Sequence, residues 1–144
     1  VIVCTRTRRP GCPFPYVDKE TLFSQSDFLS LHCPQTPETQ GLIDARALAK
    51  MKRTAILINT ARGGLIDESA LAAALNENRI AGAYLDVVSE EPIRADNPLL
   101  KAKNCRLTPH VAWQPLETRL RLHKRVEEHL AAFLSGSPRD VVGV

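Results

Sequence analysis

An apolar run, Ala55-Ile56-Leu57-Ile58, enters the segment Asn59-Thr60-Ala61-Arg62-Gly63-Gly64-Leu65-Ile66-Asp67-Glu68, and a helical run over residues 69–75 leaves it. This stretch constrains the fold more than any other. A short apolar run bounded by glycines reads as a buried strand, so the order is strand, loop, helix. In open α/β sheets, ligands bind just beyond the carboxyl ends of the strands. Arg62 therefore stands where a fold of this kind keeps its chemistry, and its planar fork of donors suits a carboxylate or a phosphate. The plain alternative is an arginine that covers a loop, and the stretch by itself does not separate the two.

The rest of the chain repeats the alternation. Residues 1–4, Val-Ile-Val-Cys, read as a fully buried strand that ends in the turn Thr5-Arg6-Thr7-Arg8-Arg9-Pro10-Gly11. Residues 18–25 read as a short helix with Leu22 and Phe23 inward, and 27–32 as a second strand. That strand runs into Cys33-Pro34-Gln35-Thr36-Pro37, where two prolines oppose helix and impose an extended turn. Asp44 suits the N-cap of a helix over 45–51, and Asp67 caps the next, whose inward stripe is Leu71, Ala74 and Leu75. A fourth strand over 80–85 has Ala81 and Gly82, small enough for close approach. A helical turn follows over 97–100, and a fifth strand over 105–108. The last helix, over 116–134, carries Leu116, Leu120, Val126, Leu130, Phe133 and Leu134 on one face and most of its basic residues on the other. Gly136 and Pro138 stop it, and the tail over 139–144 reads as extended. Alternation of this kind predicts a parallel sheet with helices on both faces.

A chain of 144 residues, 44% apolar, is long enough for a real core. Its net charge of +3 is spread out and points to neither nucleic acid nor a membrane surface, and no apolar run reaches bilayer length. The four cysteines, Cys4, Cys12, Cys33 and Cys105, have no CxxC spacing. They read as buried, reduced thiols of a cytoplasmic protein, and no metal site is expected. The chain opens directly in a strand and its only methionine is Met51, as expected of a chain cut inside a domain.

The five strands end at Arg6 and Arg8, at Cys33-Pro34, at Thr60-Ala61-Arg62, at Asp86 and Glu91, and at His110. A parallel sheet puts all of these ends on one edge. Taken singly, each has an ordinary reading: His110 as a packed or exposed ring, Asp86 as a cap, Glu91 as a solvated carboxylate, Arg62 as a local partner of Asp67. Taken together they converge as an active site does. A histidine titrates near neutral pH. A carboxylate beside it fixes its tautomer and makes it a proton donor at pH 7. An arginine opposite holds a substrate carboxylate and polarises the neighbouring carbonyl. Those parts suit proton-coupled hydride transfer to a 2-oxo acid, the hydride coming from a cofactor.

The motifs Asn59-Thr60-Ala61-Arg62-Gly63, Asp86-Val87 with Glu91-Pro92, and Thr108-Pro109-His110-Val111-Ala112 resemble those of the NAD(P)-dependent D-2-hydroxyacid dehydrogenases. So does Ser30-Leu31-His32-Cys33-Pro34 followed by Thr36, Glu38, Thr39 and Gly41-Leu42-Ile43. Trp113 and the ending from Ala132 to Val142 look most like the glycerate dehydrogenase, hydroxypyruvate reductase and glyoxylate reductase branch. The resemblance implies a partial Rossmann-type sheet over residues 1–113, with a C-terminal helix and tail over 114–144 that would pack on an absent substrate domain. It implies that Arg62 binds the substrate carboxylate and carbonyl, that His110 is the acid/base, and that Glu91 pairs with it. It places Asp86 at the nicotinamide carboxamide. Cys33, Pro34, Thr60, Ala61, Arg62 and His110 would face the cofactor, and Thr5, Arg6 and Arg8 its adenosine ribose. The substrate would be a small 2-oxo or 2-hydroxy acid such as glyoxylate or hydroxypyruvate, and the full-length protein a homodimer.

Two departures from that pattern carry expectations. The strand–GxGxxG–helix that holds a pyrophosphate is missing, so the chain reads as roughly the C-terminal half of such an enzyme and as inactive alone. In a doubly wound order the missing strand would lie between the strand at 1–4 and the strand at 55–59. The turn over 5–9 carries no acid to bond a ribose 2′-hydroxyl but three arginines suited to a 2′-phosphate, which favours NADP(H) over NAD(H). The alternatives are a regulatory, corepressor-like protein that keeps the fold, and an inactive fragment. Turnover by the full-length protein separates them from an enzyme.

Overall fold

The computed structural model describes residues 1–142. Gly143 and Val144, the end of the tail read as extended, lie outside the described residues. Three aspartates start three helices. Asp18, Asp44 and Asp67 each stand extended, and their side chains accept from the N–H of Thr21, Ala47 and Ala70 at 2.7, 2.8 and 3.0 Å. Each bond satisfies a donor that the first helical turn leaves open. The helices so capped are α1 (Lys19–Gln25), α2 (Ala45–Lys50) and α3 (Glu68–Asn76). Between and after them run β1 (Phe28–Leu31), β2 (Ile56–Asn59), β3 (Gly82–Leu85) and β4 (Cys105–Leu107), with a 3₁₀ turn over Pro98–Lys101 before the last.

The strands form one parallel sheet in the order β1-β2-β3-β4. Leu29, Leu57, Ala83 and Cys105 lie in one register row, and Leu31, Asn59, Leu85 and Leu107 in another. Each connection moves one strand along in the same direction. Right-handed crossovers of that kind leave their helices on the same side of the sheet. Accordingly α1 packs on α2, α2 on α3, and α3 on the 98–101 turn. The core lies between this layer and the sheet: Phe23, Leu29, Leu31, Leu48, Leu57, Leu71, Leu75, Ala83, Leu85 and Leu99 are all buried in one cluster.

Three sequence expectations are corrected. The helices of this unit cover one face of the sheet rather than both; on the other face Phe28 is 68% and Tyr84 52% exposed. Residues 1–4 are no strand of the sheet. Val3 makes an isolated parallel bridge to Tyr16, Val1 is exposed, and residues 2–4 are half-buried. An apolar run becomes a buried strand only where a ladder receives it on both sides, and the only bridge found for this one, among the described residues, is that to Tyr16. The strands of residues 28–31 and 56–59 pair directly, so β2 lies inside the sheet, β1 and β4 are its edges, and the gap expected beside β2 does not exist.

The chain divides into two compact units, Val1–His110 and Val111–Val144. The second contains α4 (Leu116–Leu134), which has the expected span and whose Leu116, Leu120, Val126, Leu130, Phe133 and Leu134 are exposed. Its tail is not extended throughout: Asp140 has φ +53°, and its carboxylate accepts from His129 Nε2 at 2.9 Å, turning the chain back on the helix. Among the described residues, no helix is long and apolar enough to cross a membrane.

Candidate active site

Backbone pairing continues past the strand ends and aligns the loops that carry the candidate residues. Asp86 N–H donates to the Asn59 carbonyl at 2.9 Å, Thr108 N–H to that of Leu85 at 3.0 Å, and His110 N–H to that of Asp86 at 2.9 Å. The segments 59–62, 86–91 and 108–110 thus leave the sheet side by side at one edge.

Two of the sequence-predicted residues meet across the loops that follow different strands. His110 Nδ1 and Glu91 Oε2 are 2.8 Å apart. His110 has φ +55°, a left-handed conformation uncommon for a residue with a Cβ. Its N–H, shared between the carbonyls of Asp86 and Thr108, holds it there. Beneath it Asp86 is buried and accepts from the Thr108 hydroxyl. The hydrogen bond from His110 holds the Glu91 carboxyl below the usual carboxylate range; partial burial opposes this, and the Val88 N–H adds to it at 3.3 Å. A depressed carboxyl favours the folded pair above its unfolded value of about 4.3. That contribution is lost as pH falls through the lower folded value. In a ¹³C titration of this chain, Glu91 is expected to titrate below an ordinary glutamate. His110→Ala is expected to return it upward, and an unmoved midpoint in that variant would disprove the pairing.

The Arg62 loop is held from three sides. Below, Asn59 is fully buried; its Nδ2 donates to the Arg62 carbonyl at 2.8 Å and its Oδ1 accepts from Ala61 N–H at 3.0 Å. Both atoms of one buried amide are thereby used to shape the turn, as burial of a polar group requires. On one flank, Gly41 and Ile43 N–H donate to the carbonyls of Gly64 and Leu65 at 2.8 and 2.9 Å, and Asp67 N–H donates to Ile43 at 3.0 Å. On the other, Gly63 lies against the Val88–Ser89 backbone; a Cβ on Gly63 would fall 1.9 Å from the Val88 carbonyl carbon. Arg62 is exposed, and its Nη1 donates to the Ala61 carbonyl at 2.6 Å. It does not pair with Asp67, whose carboxylate caps α3.

The remaining predicted residues divide. Cys33, half-buried against the core, and Pro34, whose carbonyl accepts from the Thr39 hydroxyl at 2.7 Å, follow β1 at the same edge as the exposed Thr60. Thr5, Arg6 and Arg8 are exposed and belong to the 1–17 segment, which lies outside the four-stranded sheet. There the Arg8 guanidinium lies 5.5 Å from the Tyr16 ring centre, and the Thr5 hydroxyl bonds the Thr7 carbonyl. The four cysteines are free but half-buried rather than buried, and burial pushes the Cys105 thiol up to about 11, so it stays protonated and unreactive. Asn59, Thr108 and Glu68, which hold the site, were not singled out by the sequence. The fixed Asp86 side chain and the 60–62 turn lie at the same edge of the sheet as His110. No strand–GxGxxG–helix that would cradle its pyrophosphate stands among the described residues.

Comparison with known proteins identifies the family. The family model described as "D-isomer specific 2-hydroxyacid dehydrogenase, NAD binding domain" matches residues 1–112. The chain is 52% identical over 127 residues to a hydroxypyruvate reductase of Blautia hydrogenotrophica, covering 88% of this chain and 39% of that protein. It is 52% identical over 121 residues to a glyoxylate reductase of Korarchaeum cryptofilum, covering 84% of this chain and 36% of that one. Among solved structures, an acyclic imino acid reductase, Bsp5, in complex with NADPH and D-Arg superposes with a TM-score of 0.88 at 36% identity, covering 99% of this chain and 46% of that one. The chain therefore spans less than half the length of these proteins. It belongs to the D-isomer specific 2-hydroxyacid dehydrogenase family, whose NAD-binding domain it matches over residues 1–112.

Proposed function

We propose that this chain is the cofactor-binding and proton-transferring part of an oxidoreductase that moves a hydride between NAD(P)H and a small 2-oxo acid such as glyoxylate or hydroxypyruvate. The observation that carries the reading is the His110–Glu91 pair, 2.8 Å apart, at the sheet edge that also bears the Arg62 loop. The relatives named hydroxypyruvate reductase and glyoxylate reductase support the choice of substrates.

In this reading Arg62 binds the substrate carboxylate with its fork of donors and draws electron density from the adjacent carbonyl. A nicotinamide held at this edge would supply the hydride that the carbonyl carbon takes up. With Nδ1 engaged by Glu91, Nε2 of His110 gives the proton to the carbonyl oxygen, and the 2-hydroxy acid results; oxidation reverses both transfers. Asp86, Cys33, Pro34, Thr60 and Ala61 line the nicotinamide end.

NADP(H) is the cofactor favoured. The turn over 5–9 offers Arg6, Arg8 and Arg9 and no carboxylate, and the similar imino acid reductase is in complex with NADPH. Four free thiols support a reducing compartment, the cytoplasm. The exposed apolar stripe of α4 supports a homodimer of the full-length protein.

The test is oxidation of NADPH and NADH by the full-length protein with glyoxylate and hydroxypyruvate. Turnover, faster with NADPH, is the expected result, and absence of turnover with every pair would refute the reading. Arg62→Ala in that protein is expected to raise KM for the 2-oxo acid and to lower kcat, with kcat/KM falling by about 10- to 100-fold, the worth of a charge-assisted bond.

A further inference from the structure

We propose that Glu68, the first residue of α3, is the positioning residue that sets Glu91 against His110; the assignment rests on the proton-transfer reading above and deepens it. An acid in the first turn of a helix is ordinarily a solvated group that answers the helix dipole. Glu68 is engaged differently. Its Oε1 accepts from Ser89 N–H at 2.6 Å, and its Oε2 accepts from the Ser89 hydroxyl and from Asn97 Nδ2, both at 2.8 Å. All three bonds go to one segment, 21 and 29 residues further along the chain.

That segment is the one that needs fixing. It leaves β3 through the buried Asp86 and Val87, with Val88 packed against the core, and is next buried at Leu99 of the 98–101 turn. Between those points it has no helix or strand of its own, and Glu91 lies within it. Glu68 seizes it two residues before Glu91 and six after. Gly63 adds a wall beneath, since its α-carbon lies directly against Val88 and Ser89. Glu68 touches neither His110 nor Glu91; it acts by fixing where the backbone presents the carboxylate. A carboxylate suits the task because it is acceptor-only and takes three donors at once.

The readout is the titration of the Glu91 side-chain carboxyl in this chain by ¹³C NMR, which does not depend on turnover. The groups that face Glu91 are the His110 ring, the Val88 N–H and the Asp86 carboxyl, which opposes its ionisation. The shift produced by His110→Ala sets the full scale. In Glu68→Ala, Glu91 is expected to move upward by at least half that scale, and in Glu68→Gln, which keeps an acceptor for Ser89 N–H, by much less. If Glu68→Ala disturbs the first turn of α3, the double variant Ser89→Ala, Asn97→Ala removes two of the three bonds from the other side and is expected to move Glu91 in the same direction. An unchanged Glu91 midpoint in a folded Glu68→Ala, or in the double variant, would overturn the assignment while leaving the dehydrogenase reading intact. Absence of turnover by the full-length protein, with Glu91 shifted as stated, would refute that reading and leave the positioning role standing.

Discussion

Replacing His110 by alanine in the full-length protein is expected to lower kcat by about 10²- to 10⁴-fold, the usual worth of a general acid or base. KM for the 2-oxo acid should change little, because the proposed holder of the substrate carboxylate is Arg62 rather than the imidazole. The ring makes its contact at the surface, its side chain 43% exposed, so its removal leaves no core cavity. The backbone is the complication. His110 has φ +55°, where alanine is strained by about 1–2 kcal/mol. Asparagine tolerates that region better and lacks a titrating group. His110→Asn is therefore expected to unfold close to wild type while losing kcat as heavily as His110→Ala. Equal kcat losses with unequal stabilities would locate the effect in the chemistry. A kcat unaffected in His110→Asn would refute the acid/base role.

Gly63→Ala is expected to be the most damaging of the small substitutions, at about 3 kcal/mol or more, read as a drop in the urea midpoint of this chain. The added methyl would fall 1.9 Å from the Val88 carbonyl carbon, 2.0 Å from its oxygen and 2.4 Å from Ser89 N. All three are backbone atoms of a segment pinned by Glu68, so relief requires moving either the Arg62 loop or the Glu91 loop. Gly64→Ala is the control. Its Cβ would meet the end of the Gln35 side chain at 2.5–2.6 Å, and a flexible amide can swing aside at the cost of its bond to Gln40. The expected order is Gly63→Ala well below Gly64→Ala, which in turn lies near wild type. The reverse order would show that the contact with the 88–89 backbone does not constrain the two loops.

The residues that the sequence disclosed are those whose partners are close in the chain or repeat with the period of an element. Asp44 and Asp67 were legible as caps because each bonds an N–H three residues on, and Asp18, which reads as the first residue of its helix, caps it in the same way. Leu71, Ala74 and Leu75 were legible by helical spacing, and all are buried. The run at 1–4 misled because apolarity alone says that a strand should be covered, not which neighbour covers it. The two-sided layering misled for a related reason: alternation of strands and helices does not fix the direction in which successive strands are added, and that direction decides the face. Within the site, Arg62, Glu91 and His110 could be named from motif and from their places after strands. Glu68 could not, because its bonds reach 21 and 29 residues away and an acid at a helix start has a sufficient local reason to be there. The reason for Gly63 lies 25 residues along, at Val88, and was equally out of local reach.

The strand order β1-β2-β3-β4 is also the order of synthesis. Each strand leaving the ribosome finds its place on the last one laid down, with a connection already complete, and no earlier pairing must open to admit it. The sheet can therefore be assembled vectorially, growing at one edge as translation proceeds. His110 comes last in that sequence, after β4, so the His110–Glu91 pair is completed only when the whole platform beneath it has been built. A nascent chain stalled before residue 105 would present the Arg62 loop and Glu91 on a three-stranded sheet with no imidazole to join them.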